Sequence, residues 1–511
     1  MGIIATANDV KQIADAIKEI KDALSALNPD RAVVLEVQNF TTRPLRLVSH
    51  EHVHGGFAET PSIEIPPNSV DIFGSKDTSV THGTEGNVTY ESDDGFLLRV
   101  EWNNPITGGT SCSATVLGSN AGSFEALEVC GAGNTANMQF SVRSGSTARP
   151  IVRKASATAG AVSDIAAAKN GARGVITAVR AGNNTLLLIS WEVASDGLSI
   201  RRLADSQSQA GEASDIDIAR GQRFVTACRA ANKNLLLISW EVQAERITRR
   251  GDSRDTSGKD RAGEARLINI LALSSNLFVT AVQTGPGNLR LIAWRLENTG
   301  ELIRRADSGD QAGAVKEISL VQVSPESLGN HRVVTAVRGG DGTLLLISWR
   351  IATDGSSITR LSFGHGLAGS ADSIRVATTA GGQIVTAVRG SLKNTNPPTG
   401  DLILISWSID QHGALTRLAD THGQAGAISS NALMSRPTGV LSAVGTARGL
   451  KLIRWDVSPQ GAIRRAAESA EQAGTASLIT LCQEPLAAES PICSVVGTAG
   501  GNLMLITWAE A

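Results

Sequence analysis

Three histidines within five residues, His50-Glu51-His52-Val53-His54, form the densest local set of side chains able to do chemistry. In an extended strand alternate residues share a face, so one reading lets these imidazoles converge on a Zn²⁺, Ni²⁺ or Cu²⁺ ion. The same three groups titrate near neutrality and could act as a protonation switch, and the plain alternative is three solvated loop histidines. A second set of candidates is repeated rather than clustered. Arginine stands at Arg153, Arg202, Arg249, Arg304, Arg360, Arg417 and Arg465, each at the end of a similar segment. An aspartate follows three residues later at Asp205, Asp252, Asp307 and Asp420, and Glu468 follows Arg465. The Arg202–Asp205, Arg249–Asp252, Arg304–Asp307 and Arg417–Asp420 pairs can be read as similar pockets for a glycan or other polar ligand, gaining avidity by repetition. They can equally be read as staples between neighbouring repeats. No nucleophile elbow, phosphate loop or HExxH occurs, and Asp93-Asp94 reads as a turn, so no catalytic residue, no cofactor and no enzyme are expected. The tetrapeptide Arg250-Gly251-Asp252-Ser253 is explained by drift of the repeat, since sister segments read LADS and RADS at the same place.

The segments carrying these arginines belong to a larger repeat. Strand-like motifs such as TLLLISWEV and LKLIRWDV surround Trp191, Trp240, Trp294, Trp349, Trp407, Trp455 and Trp508, recurring every 48 to 58 residues. That period fits a four-stranded propeller blade with its loops, so residues 146–511 are expected to form a seven-bladed β-propeller. The second repeat divides into an inner strand at 214–219, then 223–229, 234–242 and an outer strand at 246–253. Tryptophan at one fixed register is expected to be core between blades. Residues 150–160 read as an outer strand without a blade, while the last repeat stops one strand short. The first piece should therefore pair with the last and close the ring. Ala-Gly pairs follow the outer strands at 159–160, 210–211, 262–263, 312–313, 368–369, 425–426 and 473–474.

The first 145 residues lack the repeat. Residues 1–30 contain an amphipathic helix over 8–27, with Val10, Ile13, Ala14, Ile17, Ile20, Leu24 and Leu27 on one stripe and Asn8 or Thr6 as its cap. Residues 31–145 read as alternating strands with Gly, Pro and Asn turns: AVVLEVQNF, LRLV, PSIEIPPNSVDIFG, GNVTYES and FLLRVEWNNP, then ATVLG and MQFSVR. The pattern is that of a β-sandwich, and the fold class overall is mainly β.

The helix, the Asp30-Arg31 junction, AVVLEVQN, Pro66-Pro67, GSKDTS, HGTEGNVTY and LLRVEWNNP together resemble the actinoporin-like cytolysins and the related fungal fruit-body lectins over about residues 8–143. The resemblance implies an N-terminal helix that leaves the sandwich and enters a bilayer through Val10, Ile13, Ile17, Ile20 and Leu24. It further implies a lipid-headgroup pocket at His54, Val88, Asn103 and Pro105. After Pro105 the chain reads Ile106-Thr107-Gly108-Gly109, and Tyr90 is the only tyrosine. That pocket therefore lacks the rings a quaternary ammonium would use, which points to another headgroup, a glycan or a receptor.

The totals exclude other classes. Forty-seven basic against 49 acidic residues give a net charge of −2, without the concentrated positive face that nucleic acid requires. No apolar stretch reaches the 18 residues of a membrane span. The N-terminal segment has no basic region before its apolar run, so a secretory signal is not expected, although Gly2 and Thr6 match an acylation pattern. Five cysteines without C-x-x-C imply no zinc knuckle and no disulfide framework, while Cys482 and Cys493 are placed to pair across a turn. Two functions compete on these grounds. One is a membrane-binding, pore-forming toxin or defence protein, homo-oligomeric, released or acting on target-cell membranes. Its propeller would grip a membrane lipid, surface glycan or glycoprotein. The other is a non-lytic, lectin-like binding protein whose helix stays docked.

Overall fold

The computed structural model describes residues 2–6, 10–79, 81–118, 124–144, 150–309, 311–323, 329–364, 371–390, 400–421, 427–471, 473–482 and 491–510, with Val10 and Ser144 described by backbone alone. The chain divides into two compact units, Met1–Thr147 and Ala148–Ala511.

The first unit contains strands β1 (Ile3–Thr6), β2 (Ala32–Phe40), β3 (Leu45–His54), β4 (Gly56–Glu59), β5 (Glu64–Ile65) and β6 (Ser69–Lys76). It continues with β7 (Gly83–Ser92), β8 (Phe96–Pro105), β9 (Ser111–Leu117), β10 (Phe124–Cys130) and β11 (Thr135–Ser144), and one helix, α1 (Val10–Ala26). One sheet has the order β1-β6-β2-β11-β10 with β4 also on β6, and the other has the order β5-β3-β7-β8-β9. The two sheets pack as a sandwich. Strand β2 is buried along nearly its whole length because both of its faces are covered. Val33, Leu35 and Val37 meet Val88, Leu98, Val100 and Trp102 between the sheets, whereas Ala32 and Val34 pack under the helix.

The helix buries Ile13, Ala16, Ile20 and Leu24, each by about 1.5–3 kcal/mol for the larger side chains. Ile17 is half-buried, and Ala14 and Leu27 are exposed, so Ala16 holds the place that the sequence pattern gave to Ala14. Ile20 comes down directly over Gly74, where any Cβ would lie 3.0 Å from its methyl group. The Gln12 side chain accepts the Thr6 amide at 2.8 Å, and Asn28, at φ 46°, ends the helix before Pro29. Asn8, the expected cap, lies outside the described residues. Strand β1 was not anticipated: Ile3 to Thr6 pair with Ile72 to Ser69 of β6, lacing the chain to the sheet just before the helix. The acylation match falls on Gly2, whose amide donates to the Thr60 carbonyl.

A disulfide joins Cys112 of β9 to Cys130 of β10, with Cα atoms 5.6 Å apart. It corrects the expectation of none. The two strands are the exposed edges of opposite sheets and meet at one side of the sandwich, a proximity that spacing in the sequence cannot reveal. Cys482 and Cys493 lie together in an apolar cluster of the second unit, the Cys482 amide donating to the Cys493 carbonyl, and form no such bridge.

The second unit is a β-propeller. Among the described residues it has five four-stranded antiparallel sheets and one seven-stranded sheet. The seven-stranded sheet exists because β12 (Ile151–Asn170) serves two neighbours. Its first part, Ile151 to Ala161, pairs with Glu510 to Asn502, and its second part, Val162 to Asn170, pairs with Ala181 to Gly174. The expected pairing of the first piece with the last tryptophan strand is thus present. The other inner strands are Ala213–Arg220, Ala265–Ala272, Val315–Val323, Ala371–Thr378, Ser430–Arg436 and Ala476–Leu481. Each packs on the next, and Ala476–Leu481 packs back on β12.

Every tryptophan of the repeat is buried and donates its indole N–H to a Thr or Ser on the second strand, as Trp240 does to Thr226 at 2.9 Å and Trp455 to Ser442 at 2.9 Å. The bond satisfies the one polar atom of the ring inside an apolar core. A second contact joins sheet to sheet. Ser239, Ser348, Ser406 and Thr507 donate to the hairpin carbonyls of Gly300, Gly413, Gly461 and Gly197, at 2.5–2.6 Å. The Thr507–Gly197 bond links the last tryptophan strand to the first tryptophan hairpin, the two halves of the seven-stranded sheet.

Candidate functional site

The three clustered histidines do not converge. His50 and His52 stand opposite Val88 and Gly86 of β7, but a bulge at Val53 inserts one residue and sets His54 opposite Glu85. A bulge turns the following side chain to the other face, so the triad is split two and one. His52 bonds Ser75 Oγ at 2.9 Å, and its ring meets Phe57 and Trp102 edge-on. Burial, and then the neighbouring His50, hold its pKa below the usual histidine value. His54 stacks on His82 with centroids 4.5 Å apart. Among the described residues no group of three His, Cys, Asp or Glu side chains is placed to hold a metal ion, which corrects the metal expectation.

Of the headgroup positions, Val88 is fully buried between the sheets and presents no side chain to a surface ligand. His54 and Asn103 share the outward row of Glu85. Pro105 lies two residues further along the same strand face, its carbonyl accepting Arg31 Nε at 2.8 Å. The helix residues Ile13, Ile20 and Leu24 form the docked face, Ile17 its margin, and the Val10 side chain lies outside the described residues.

Where an acid follows three residues on, the repeated arginine pairs with it. Arg202 contacts Asp205 at 2.5 Å, and Arg249, Arg304 and Arg417 contact Asp252, Asp307 and Asp420. Several also reach the preceding sheet: Arg249 donates to the Gln209 carbonyl at 3.0 Å and Arg304 to the Arg261 carbonyl at 3.0 Å, while Arg360 bonds the Gln311 carbonyl. These residues stand directly before the Ala-Gly pairs, so the two recurring features are halves of one staple. Two of those pairs, 368–369 and 425–426, lie outside the described residues. In Arg250-Gly251-Asp252-Ser253, Arg250 is paired with Glu241, Asp252 with Arg249, and Ser253 is buried.

What remains open is the centre of the second unit. A cavity of about 820 Å³ is lined by every inner strand named above. Its wall carries the acids Asp164, Asp215, Asp217 and Glu317 and the cations Lys169, Arg220 and Arg375 amid neutral and apolar residues. Sequence reading missed these, although the repeated segments SDI, SDIDI, LINI, EISL and SIRV place polar groups at two alternate positions of otherwise apolar strands. Bulges there leave Asp215, Leu267 and Ser373 at φ 50–51° and turn polar atoms towards the next sheet. Asp164 accepts the Ile216 amide at 2.8 Å, Asp217 the Ile270 amide at 2.8 Å, and Glu317 the Ile374 amide at 2.9 Å. Burial pushes the Asp217 carboxyl up to about 6 and also raises Asp164. Burial lowers the pKa of Arg375, against the attraction of Glu317 and Asp217.

No family model matches the chain, and no curated protein matches it. Among solved structures, the lipid binding protein Nakanori is 18% identical over 25% of this chain and 80% of its own, with a TM-score of 0.24. The Cps50 (Swd1) β-propeller domain of Myceliophteria thermophila is 10% identical over 70% and 100%, at 0.40. Sqt1 of Saccharomyces cerevisiae is 9% identical over 72% and 100%, at 0.42. The fold assignment rests on the strand pairings above.

Proposed function

We infer that this chain is a non-enzymatic binding protein. A seven-bladed propeller supplies a rigid ligand-binding scaffold, and an actinoporin-like sandwich engages a membrane lipid or surface glycan with its helix docked. The blade count is supported by the series of inner-strand contacts that returns to β12, each inner strand opening one four-stranded set. The observation that carries the binding role is the open polar cavity at the centre of the propeller, in a repeat whose recurring Arg–Asp pairs are taken up by stapling. Docking of the helix is supported from both sides: four apolar anchors below it and the β1–β6 pairing just before it.

Pore formation, with homo-oligomers inserting the helix, is the second reading, and one observation favours it. The sandwich core and the helix interface are separate apolar clusters, so the helix can leave without opening the core. Among the described residues no helix is long and apolar enough to cross a membrane by itself. Liposomes of varied lipid composition, with and without glycolipid, separate the readings when co-sedimentation and dye release are measured together at pH 7.5 and 5.5. Binding without leakage is the expected result. Leakage that is abolished by Ile17→Glu in a still folded protein would move the assignment to a pore former. Neither binding nor leakage would remove the membrane from the proposal.

A further inference from the structure

One register position carries a polar side chain in four successive sheets around the propeller cavity, while the first and sixth inner strands have Ala166 and Ala432 there. Asp217, Asn269, Ser319 and Arg375 stand opposite Ala227, Ala281, Ala336 and Ala387, the residues that follow the tryptophan-bonding threonines. The first three stitch their strand to the next one. Asp217 accepts the Ile270 amide at 2.8 Å, Asn269 donates to the Ile318 carbonyl at 3.1 Å, and Ser319 accepts the Val376 amide at 3.1 Å. Arg375 breaks the series. Its Nη1 turns back to the carbonyl of its own neighbour, Ile374, at 2.8 Å, and the stitch to the following sheet is made instead by Asn431, donating to the Ser373 carbonyl at 2.6 Å.

A guanidinium carries five N–H donors and is costly to take out of water unless an anion meets it. Among the described residues no carboxylate lies within 4 Å of Arg375, although Glu317 and Asp217 attract it from further away. Those two acids are already committed. Both Asp217 oxygens accept backbone amides, of Ile218 and Ile270, and Glu317 accepts the Ile374 amide while facing Arg338 at 3.8 Å. The remaining donors of Arg375 therefore line a cavity of about 820 Å³, the size of a small-molecule site, with the neutral polar groups of Thr480, Ser319 and Asn269 and two further cations, Lys169 and Arg220, which donate to the Pro491 and Lys169 carbonyls.

We propose that the propeller cavity binds a small ligand through an oxyanion group, a carboxylate, phosphate or sulfate, gripped by the Arg375 guanidinium. The assignment rests on the cavity being the propeller's binding site and names the chemistry it selects. A planar fork of donors suits two oxygens of one anion, which a lysine in the same place would not match.

Isothermal titration of the full chain at matched ionic strength tests it, with inorganic phosphate, sulfate and glucuronate as probes and chloride as reference. The expected result is one-to-one binding of at least one probe beyond any chloride effect. Arg375→Gln should weaken that binding roughly tenfold or more, and Arg375→Lys should fall between. The responding probe tells a phosphate or sulfate ester from a carboxylate. No probe acting beyond chloride, or Arg375→Gln binding as well as wild type, overturns the proposal. If Arg375→Gln does not fold, Arg375→Lys and the wild-type stoichiometry decide. Vesicle or glycan binding that persists while every oxyanion fails would sink this assignment and leave the broader binding role standing.

Discussion

The two units solve the same problem of covering sheet faces by different means. The sandwich is built once: two unlike sheets, one core, a helix over the outer face of one sheet, and a disulfide tying β9 to β10. The propeller is built by repetition, each repeat holding a tryptophan bonded to a hydroxyl and several passing arginine or serine contacts to a neighbour. Repetition supplies an internal control. Where three successive sheets use one register position for the same stitch, the charged residue that follows them without making it, Arg375, stands out as a candidate for function. The sandwich offers no such reference, so its histidines could be judged only from coordinates.

The strongest test of this contrast is removal of one tryptophan from each unit. Trp240→Ala should cost about 3–5 kcal/mol through the lost packing, besides freeing Thr226, and Trp102→Ala a similar amount. Differential scanning calorimetry should show the first lowering the propeller transition and the second the sandwich transition. A single transition shifted by both would mean that the units are not independent. Next in size, reduction of Cys112–Cys130 should destabilise the sandwich by about 3 kcal/mol, the loop-closure scale for a bridge of this span, and leave the propeller melting unchanged. Ile20→Asp should cost about 2–4 kcal/mol at the helix interface. Limited proteolysis should then release the helix while near-ultraviolet circular dichroism of the sandwich persists.

A pH titration probes the propeller alone. Asp217 keeps its proton up to about 6 in the folded chain, against 3.8 for the free carboxyl. The linked stability is therefore fully present below 3.8 and lost as pH rises through about 6. Asp164, also raised by burial and facing the same cavity, adds in the same direction, while Arg375 across the cavity opposes it by favouring the Asp217 carboxylate. The propeller melting temperature should fall between pH 5 and pH 7.5, and Asp217→Asn should flatten that slope. The smallest effect belongs to the staples. Arg202→Ala, in a pair exposed by 44% and 30%, should cost less than about 1 kcal/mol, whereas Arg249→Ala also loses the Gln209 carbonyl and should cost somewhat more. If Arg202→Ala instead abolished ligand binding, the repeated pairs would be pockets after all.

Periodicity determined a good deal from the sequence alone. The strands Ala32–Phe40 and Phe96–Pro105 fall where alternation placed them, and the four strands around Trp240 lie within a residue or two of their expected ends. The partnership of residues 150–160 with the final strand followed from a count of strands, because an unpaired edge at each end of a repeat array must be covered. Tertiary structure decided what depends on contacts distant in the sequence. The bulge at Val53 shows only in the ladder with β7, and it alone separates His54 from His50 and His52. Cys112 and Cys130 meet because two sheet edges close on each other, and β1 forms because β6 offers it an edge. Arg375 was visible in the sequence as one polar residue among several. That it faces a cavity and makes no stitch to the next sheet is a property of the closed ring, since a side chain's partner lies on a strand some fifty residues away.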